Sequence, residues 1–324
     1  MDYRVLITEP IVDSVIQKLK DHYRVDIGKR GEFNKEEHLI ETITDYDALL
    51  PMLSNPVTKN VIEAGKNLKI IANHAVGYNN IDLEAARDND IKVANTPDVL
   101  TQSSADLTIG LLLAVARKIF EAQKYLQEGK FEGWEPLGFL GMELNGNTMG
   151  IVGMGRIGTA VARRAKAFGM NIAYHNRSRV ADELEKELDA NYVENVKQLA
   201  NRSDVLSLHC PLTDETHHLI ARDVLTELPN HAIVINTSRG PVIDEEALAE
   251  ALHAGIIGGA GLDVFENEPE VHPQILSAPN CIITPHIASA THRSRKAIGM
   301  LAADAIIGVL EGKPDSEIPN LIQL

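Results

Sequence analysis

The segment Gly153-Met154-Gly155-Arg156-Ile157-Gly158 constrains this chain most. It follows a β-rich run at 148–152 and opens a helical pattern that reaches Phe168 and stops at Gly169. The first glycine of such a turn permits the tight bend, the second lets a pyrophosphate approach the backbone, and the third lets helix pack close against strand. Amides at the helix start then hold phosphate oxygens. The spacing by itself also describes an ordinary structural turn. With a strand before and a helix after, it predicts a dinucleotide site lined by Gly153, Gly155, Arg156, Ile157 and Gly158.

The rest of the chain fits around that unit. With 324 residues there is room for two cores. Runs at 4–8, 47–53, 68–72 and 91–94 read as strands, with amphipathic stretches such as 11–20 between them. Strands alternating with helices imply parallel pairing, so the first hundred or so residues form one α/β unit. Leu107, Leu111, Val115, Ala122 and Leu126 then recur at near-helical spacing, which predicts one long helix over 101–127. A second series of six strands follows, at 148–152, 171–175, 205–209, 232–236, 260–264 and 281–284. The helical segment 288–312 is expected to return to the first domain. The fold class is therefore α/β with two doubly wound parallel-sheet domains. The first is discontinuous, 1–98 with 287–324, and 99–286 is the dinucleotide-binding domain.

Several function classes are excluded. A net charge of -15 argues against nucleic acid as a partner, since phosphate-binding surfaces need clustered Lys and Arg. Cys210 and Cys281 lie in hydrophobic runs without CxxC or other metal spacing, so no disulfide framework or metal is expected. The N-terminal run lacks the layout of a secretory signal, and no apolar run reaches the roughly 18 residues of a membrane span. A cytoplasmic protein without a membrane partner is expected.

Polar residues cluster after three predicted strands, in Asn236-Thr237-Ser238-Arg239-Gly240, Asp263-Val264-Phe265-Glu266-Asn267-Glu268-Pro269 and Thr284-Pro285-His286. Ligands of open parallel sheets bind beyond the carboxyl ends of strands, so these loops should converge on one site. A lone Arg after a strand is ordinarily solvated or ion-paired, and it is the constellation that makes Arg239 a candidate. NAD-specific folds place an acid about 20 residues beyond the glycine loop to bind the ribose 2'-hydroxyl. Here, eighteen residues on from Gly158, stands Asn176, followed by Arg177, Ser178 and Arg179. An uncharged residue beside basic ones favours a 2'-phosphate, which predicts NADP(H) as the preferred cofactor and NAD(H) as the alternate.

With these loops in this order, the sequence resembles the D-isomer-specific 2-hydroxyacid dehydrogenases over essentially its whole length. Within them it is most similar to glyoxylate/hydroxypyruvate reductases, through the run from Pro285 to Arg295 and the Val76-Gly77 loop. The resemblance implies a Rossmann-type cofactor domain inserted into a flavodoxin-like substrate domain, and reduction of a small 2-oxo acid to a D-2-hydroxy acid. It makes Arg239 the carboxylate anchor, His286 the acid/base and Glu268 its orienting partner, which is expected to favour imidazolium. Glu266 is the competing carboxylate, and the family pattern of a glutamate preceding proline favours Glu268. By the same resemblance Asp263 holds the nicotinamide carboxamide, Thr237 and Pro211 line the cofactor, and the Val76 and Gly77 amides receive the substrate carboxylate. Leu53 and Ser54 face the substrate from the smaller domain. His74 and His292 lie near these loops, whereas His217 and His218 occupy a polar turn where exposure is expected. Trp134 falls where the family approaches a partner subunit, so a homodimer is expected. The alternatives are a 2-ketogluconate or other 2-oxo acid reductase and a non-catalytic, corepressor-like dinucleotide-binding regulator.

Overall fold

Short aliphatic runs become strands covered by helices on both faces, which is why they read as nearly continuous apolar segments. The computed structural model describes residues 2–324, and the chain divides into a unit running to Leu100 joined by Ala290–Leu324, and a unit Thr101–Ser289.

In the first unit, strands β1 (Arg4–Ile7), β2 (Arg24–Ile27), β3 (Ala48–Leu50), β4 (Ile70–Ala72) and β5 (Lys92–Ala94) form a parallel sheet ordered β2-β1-β3-β4-β5. This is the flavodoxin-like order. The helix His292–Leu310 covers one face, where Ala302, Ala303 and Ile306 pack with Val5, Ile7, Ile70 and Ala72. That burial is what returns the end of the chain to the first unit. Strand β2 was not expected from sequence. It is an edge strand whose residues are mostly exposed, so Arg24 and Asp26 interrupt the apolar signal.

In the second unit, β6 (Thr148–Val152), β7 (Asn171–His175), β8 (Ala190–Tyr192), β9 (Val205–Leu208), β10 (Ile233–Asn236), β11 (Gly259–Leu262) and β12 (Cys281–Ile283) form a seven-stranded sheet among the described residues. Its order is β12-β11-β10-β9-β6-β7-β8, and every pairing is parallel. The direction of winding reverses between β6 and β9, the switch point at which such sheets bind ligands. Six strands had been expected; the seventh, β8, is a three-residue edge strand with no fully buried residue.

The single helix expected over 101–127 is instead two, Thr101–Ala116 and Ile119–Gln127, separated by Lys118 at φ 50°. The first is buried on most sides and the second has no buried residue, so one periodicity hid two environments. The carbonyl of Ala116 accepts the Met142 N–H at 2.8 Å. A Cβ at Gly141 would lie 2.1 Å from that same oxygen, so only glycine lets the chain pass there.

Candidate active site

The glycine loop leaves β6 at the switch point. Gly153 takes φ +97°, and a Cβ there would lie 2.5 Å from the backbone nitrogen of Cys210. At Gly158 a Cβ would come 2.2 Å from the Gly153 carbonyl oxygen, so this glycine lets the helix Arg156–Ala167 close onto the turn. Gly155 differs, because nothing lies within 4 Å of its Cβ position. Among the described residues no side chain caps that helix, whose N-cap is Gly155 itself. Open space in front of uncapped helix amides fits a pyrophosphate.

Beyond β7, the Asn176 Oδ1 accepts the Met154 N–H at 2.6 Å, tying the strand end to the glycine loop. Arg177 and Ser178 are exposed. Arg177 has no ion pair among the described residues, and its charge helps hold the Glu215 carboxyl below its ordinary value, behind the larger effect of the Thr213 hydroxyl. Arg179 is engaged elsewhere: it forks onto Glu185 at 2.6 and 3.1 Å and lies over the Tyr192 ring. After β9, Pro211 is exposed and its carbonyl accepts the Thr216 hydroxyl at 2.7 Å. Neighbouring His209 was not singled out from sequence. Its Nε2 meets the Ser207 hydroxyl at 2.9 Å, its Nδ1 is buried without a partner among the described residues, and burial pushes its pKa down to about 3.

The ends of β10, β11 and β12 bring Arg239, Glu268 and His286 together. Asn236 accepts from both the N–H and the hydroxyl of Ser238 and donates to the Arg239 carbonyl at 2.9 Å, bracing the turn that presents Arg239. Burial lowers the Arg239 pKa from its ordinary value, and the Glu268 charge opposes that shift. Thr237 in the same turn is buried with its hydroxyl 2.9 Å from that of Thr108.

The Nδ1 of His286 lies 2.9 Å from Glu268 Oε2, while Glu268 Oε1 accepts the Phe265 N–H at 3.1 Å. Burial is the largest influence on the Glu268 carboxyl and pushes its pKa up, but His286, the Phe265 amide and Arg239 together outweigh it and hold the carboxyl below its ordinary value. Glu266 is occupied separately, paired with Nε2 of His218, which is therefore not the free surface residue expected. His217 stacks on His218, and His292 is exposed.

Asp263 is fully buried, and its carboxylate accepts from Ile287 N–H and Ala288 N–H at 2.8 Å each and from the Thr284 hydroxyl at 2.6 Å. Burial raises its pKa against these donors. Its carbonyl also accepts the His286 N–H at 2.9 Å, so Asp263 shapes the turn in which His286 sits at φ 53°. A left-handed histidine is strained and persists only where its surroundings hold it. That positioning contact was not legible beforehand.

In the first unit, Leu53 and Ser54 occupy the turn after β3, and Val76 and Gly77 the loop after β4. The N–H groups of Val76 and Gly77 donate no hydrogen bond among the described residues. His74, just before them, is 7% exposed with both ring nitrogens lacking a partner among the described residues, and burial, then the Arg295 charge, pushes its pKa down to about 4.

The family model for the D-isomer specific 2-hydroxyacid dehydrogenase NAD binding domain matches residues 109–288, more than half of the chain. The chain belongs to the D-isomer-specific 2-hydroxyacid dehydrogenases. It is 44% identical to a glyoxylate reductase of Korarchaeum cryptofilum, over 99% of this chain and 96% of that one. A crystal structure from Thermus thermophilus superposes with a TM-score of 0.92 at 40% identity, covering 99% of this dehydrogenase and 100% of that chain. An NADPH-dependent glyoxylate/hydroxypyruvate reductase of Sinorhizobium meliloti, crystallised with NADP and malonate, matches at TM-score 0.85 and 34% identity with 100% of both chains covered. This dehydrogenase is thus an oxidoreductase whose cofactor is a nicotinamide dinucleotide. Among the described residues, no helix is long and apolar enough to cross a membrane.

Proposed function

We propose that this dehydrogenase reduces glyoxylate or hydroxypyruvate to the corresponding 2-hydroxy acid, with NADPH preferred over NADH. The observation that carries the reading is the His286–Glu268 contact at 2.9 Å, with the Arg239 charge acting on the same carboxylate. The bound dinucleotide supplies the hydride. Arg239 grips the substrate carboxylate and polarises the neighbouring carbonyl, because its rigid fork matches both oxygens of a carboxylate. With Nδ1 turned to Glu268, His286 presents Nε2 to the carbonyl oxygen and delivers the proton that the alkoxide needs. The Glu268 carboxylate fixes the ring.

The Val76 and Gly77 amides receive the substrate carboxylate in the same reading, with Leu53 and Ser54 beside the substrate. Thr237, Pro211 and Asp263 flank the cofactor. The 2'-phosphate is assigned to the turn Asn176-Arg177-Ser178. Asn176 brings no repulsive charge, and Arg177 is the cation without an ion pair among the described residues. Arg179 is left a supporting role because Glu185 holds it.

A homodimer belongs to the same reading. Phe120, Leu126, Phe131, Trp134, Leu137 and Leu140 are each at least half exposed, Trp134 at 85%, and such a run of bare apolar side chains calls for a partner surface. Specificity constants for glyoxylate, hydroxypyruvate, pyruvate and 2-ketogluconate, each with NADPH and NADH, test the proposal. A preference for 2-ketogluconate would overturn the substrate assignment, and a clear NADH preference the cofactor assignment.

A further inference from the structure

In a trans peptide the carbonyl and the following N–H point in opposite directions from one rigid plane, so a bond that pins the oxygen also aims the hydrogen. Three successive carbonyls of the loop after β4 are pinned in this way. The Ala75 oxygen accepts the Thr96 N–H at 2.9 Å, the Val76 oxygen accepts Asn95 Nδ2 at 2.8 Å, and the Gly77 oxygen accepts Asn73 Nδ2 at 2.8 Å. The first two bonds aim the N–H groups of Val76 and Gly77, which meet no acceptor among the described residues.

The residues that do the pinning are themselves held. Asn95 exchanges hydrogen bonds with Asn320 through its own backbone, its N–H reaching the Asn320 carbonyl oxygen at 3.2 Å and its carbonyl oxygen accepting Asn320 Nδ2 at 2.8 Å. Asn73 and Asn80 bond each other's side chains at 3.1 and 3.3 Å. Asn80 Nδ2 also reaches the carbonyls of Met52 and Asn55 at 3.2 Å each, lacing the Leu53–Ser54 turn to the Val76–Gly77 loop.

We infer that Asn95, supported by Asn73 and Asn80, is a positioning residue that aims the Gly77 N–H at the substrate carboxylate by holding the Val76 carbonyl on the opposite side of the same peptide plane. The inference rests on the reading of the Val76–Gly77 amides as the carboxylate receptor. Asparagine suits this role because a neutral amide donates to a carbonyl, whereas an isosteric carboxylate would face it oxygen to oxygen and set a negative charge behind an anion site.

The test uses the full-length enzyme with oxalate as a dead-end anionic probe. In Asn95→Asp, the oxalate inhibition constant and the glyoxylate KM should each rise about ten-fold or more, the loss of one well-aimed hydrogen bond to a charged group. The turnover number at saturation should change far less, since the bond serves ground state and transition state alike. Asn95→Ala should move the same constants in the same direction by less, and it carries the test if the aspartate variant does not fold. NADPH affinity, read by cofactor fluorescence, should stay within about two-fold in either variant. Unchanged oxalate inhibition in a folded Asn95 variant overturns the positioning role. Gly77→Pro removes the N–H itself and separates the two ideas. If it weakens oxalate binding while the Asn95 variants do not, only the positioning role falls, and if oxalate binding survives it, the receptor reading falls too.

Discussion

His74→Gln should selectively relieve acid destabilisation of this enzyme. His74 is 7% exposed, and burial, reinforced by the Arg295 charge, pushes its pKa from 6.5 down to about 4. Between those values the unfolded chain binds a proton that the folded chain refuses, so the histidine's contribution to stability is complete above about pH 6.5 and is lost as pH falls toward about 4. The full loss is about 2.5 pH units at about 1.4 kcal/mol per unit, or about 3.5 kcal/mol, of which about 1.4 kcal/mol is already gone at about pH 5.5. Glutamine cannot titrate. Urea unfolding followed by far-ultraviolet circular dichroism, at pH near 8 and near 5.5, gives the stability difference between variant and wild type at each pH. Carboxylates that titrate in both proteins cancel in that comparison, and the difference should move in the variant's favour by about 1.4 kcal/mol on acidification. An equal difference at the two pH values would refute the argument.

Arg239→Ala should lower kcat/KM for glyoxylate by about 30-fold to several thousand-fold, the kinetic equivalent of about 2–5 kcal/mol for an unpaired charged contact, and near-normal turnover in a folded variant would sink that role. The Glu268 carboxyl is held below its ordinary value, so its contribution to stability is present above about pH 4.5 and lost as pH falls through the lowered value. Melting curves of Glu268→Gln and wild type should therefore draw together as pH falls below about 4.5. Asn176→Asp keeps an acceptor for the Met154 N–H while adding the charge that repels a 2'-phosphate, so combined with Arg177→Ala it should shift preference toward NADH in steady-state kinetics. Gly158→Ala drives a Cβ into the Gly153 carbonyl, a backbone atom that cannot step aside; a loss of about 1–3 kcal/mol in stability together with weaker NADPH binding is expected by denaturant titration and fluorescence.

What the sequence determined by itself was local. Gly153 and Gly158 announce a turn because the positive φ of the first and the approach of its carbonyl to the second are constraints within a few residues, and the buried strands announce themselves because apolar side chains must cover both faces of a parallel sheet. The edge strands β2 and β8 were illegible for the converse reason: lying at the sheet margin, they bury too little to carry a pattern. The break at Lys118 was hidden because both helices keep the same spacing while only the first is enclosed.

Tertiary structure decided which polar groups meet. Glu266 and Glu268 are nearly equivalent in sequence, and only the packed loops pair the first with His218 and the second with His286. Arg177 and Arg179 read as one basic cluster until Glu185 engages the second. Asn95 and Asn320 are 225 positions apart, and no periodicity connects them. Hydrogen bonds and ion pairs depend on distances of about 3 Å between groups brought together by the burial of others. Their partners are therefore set by how the sheets and helices pack, and are not carried in the residues themselves.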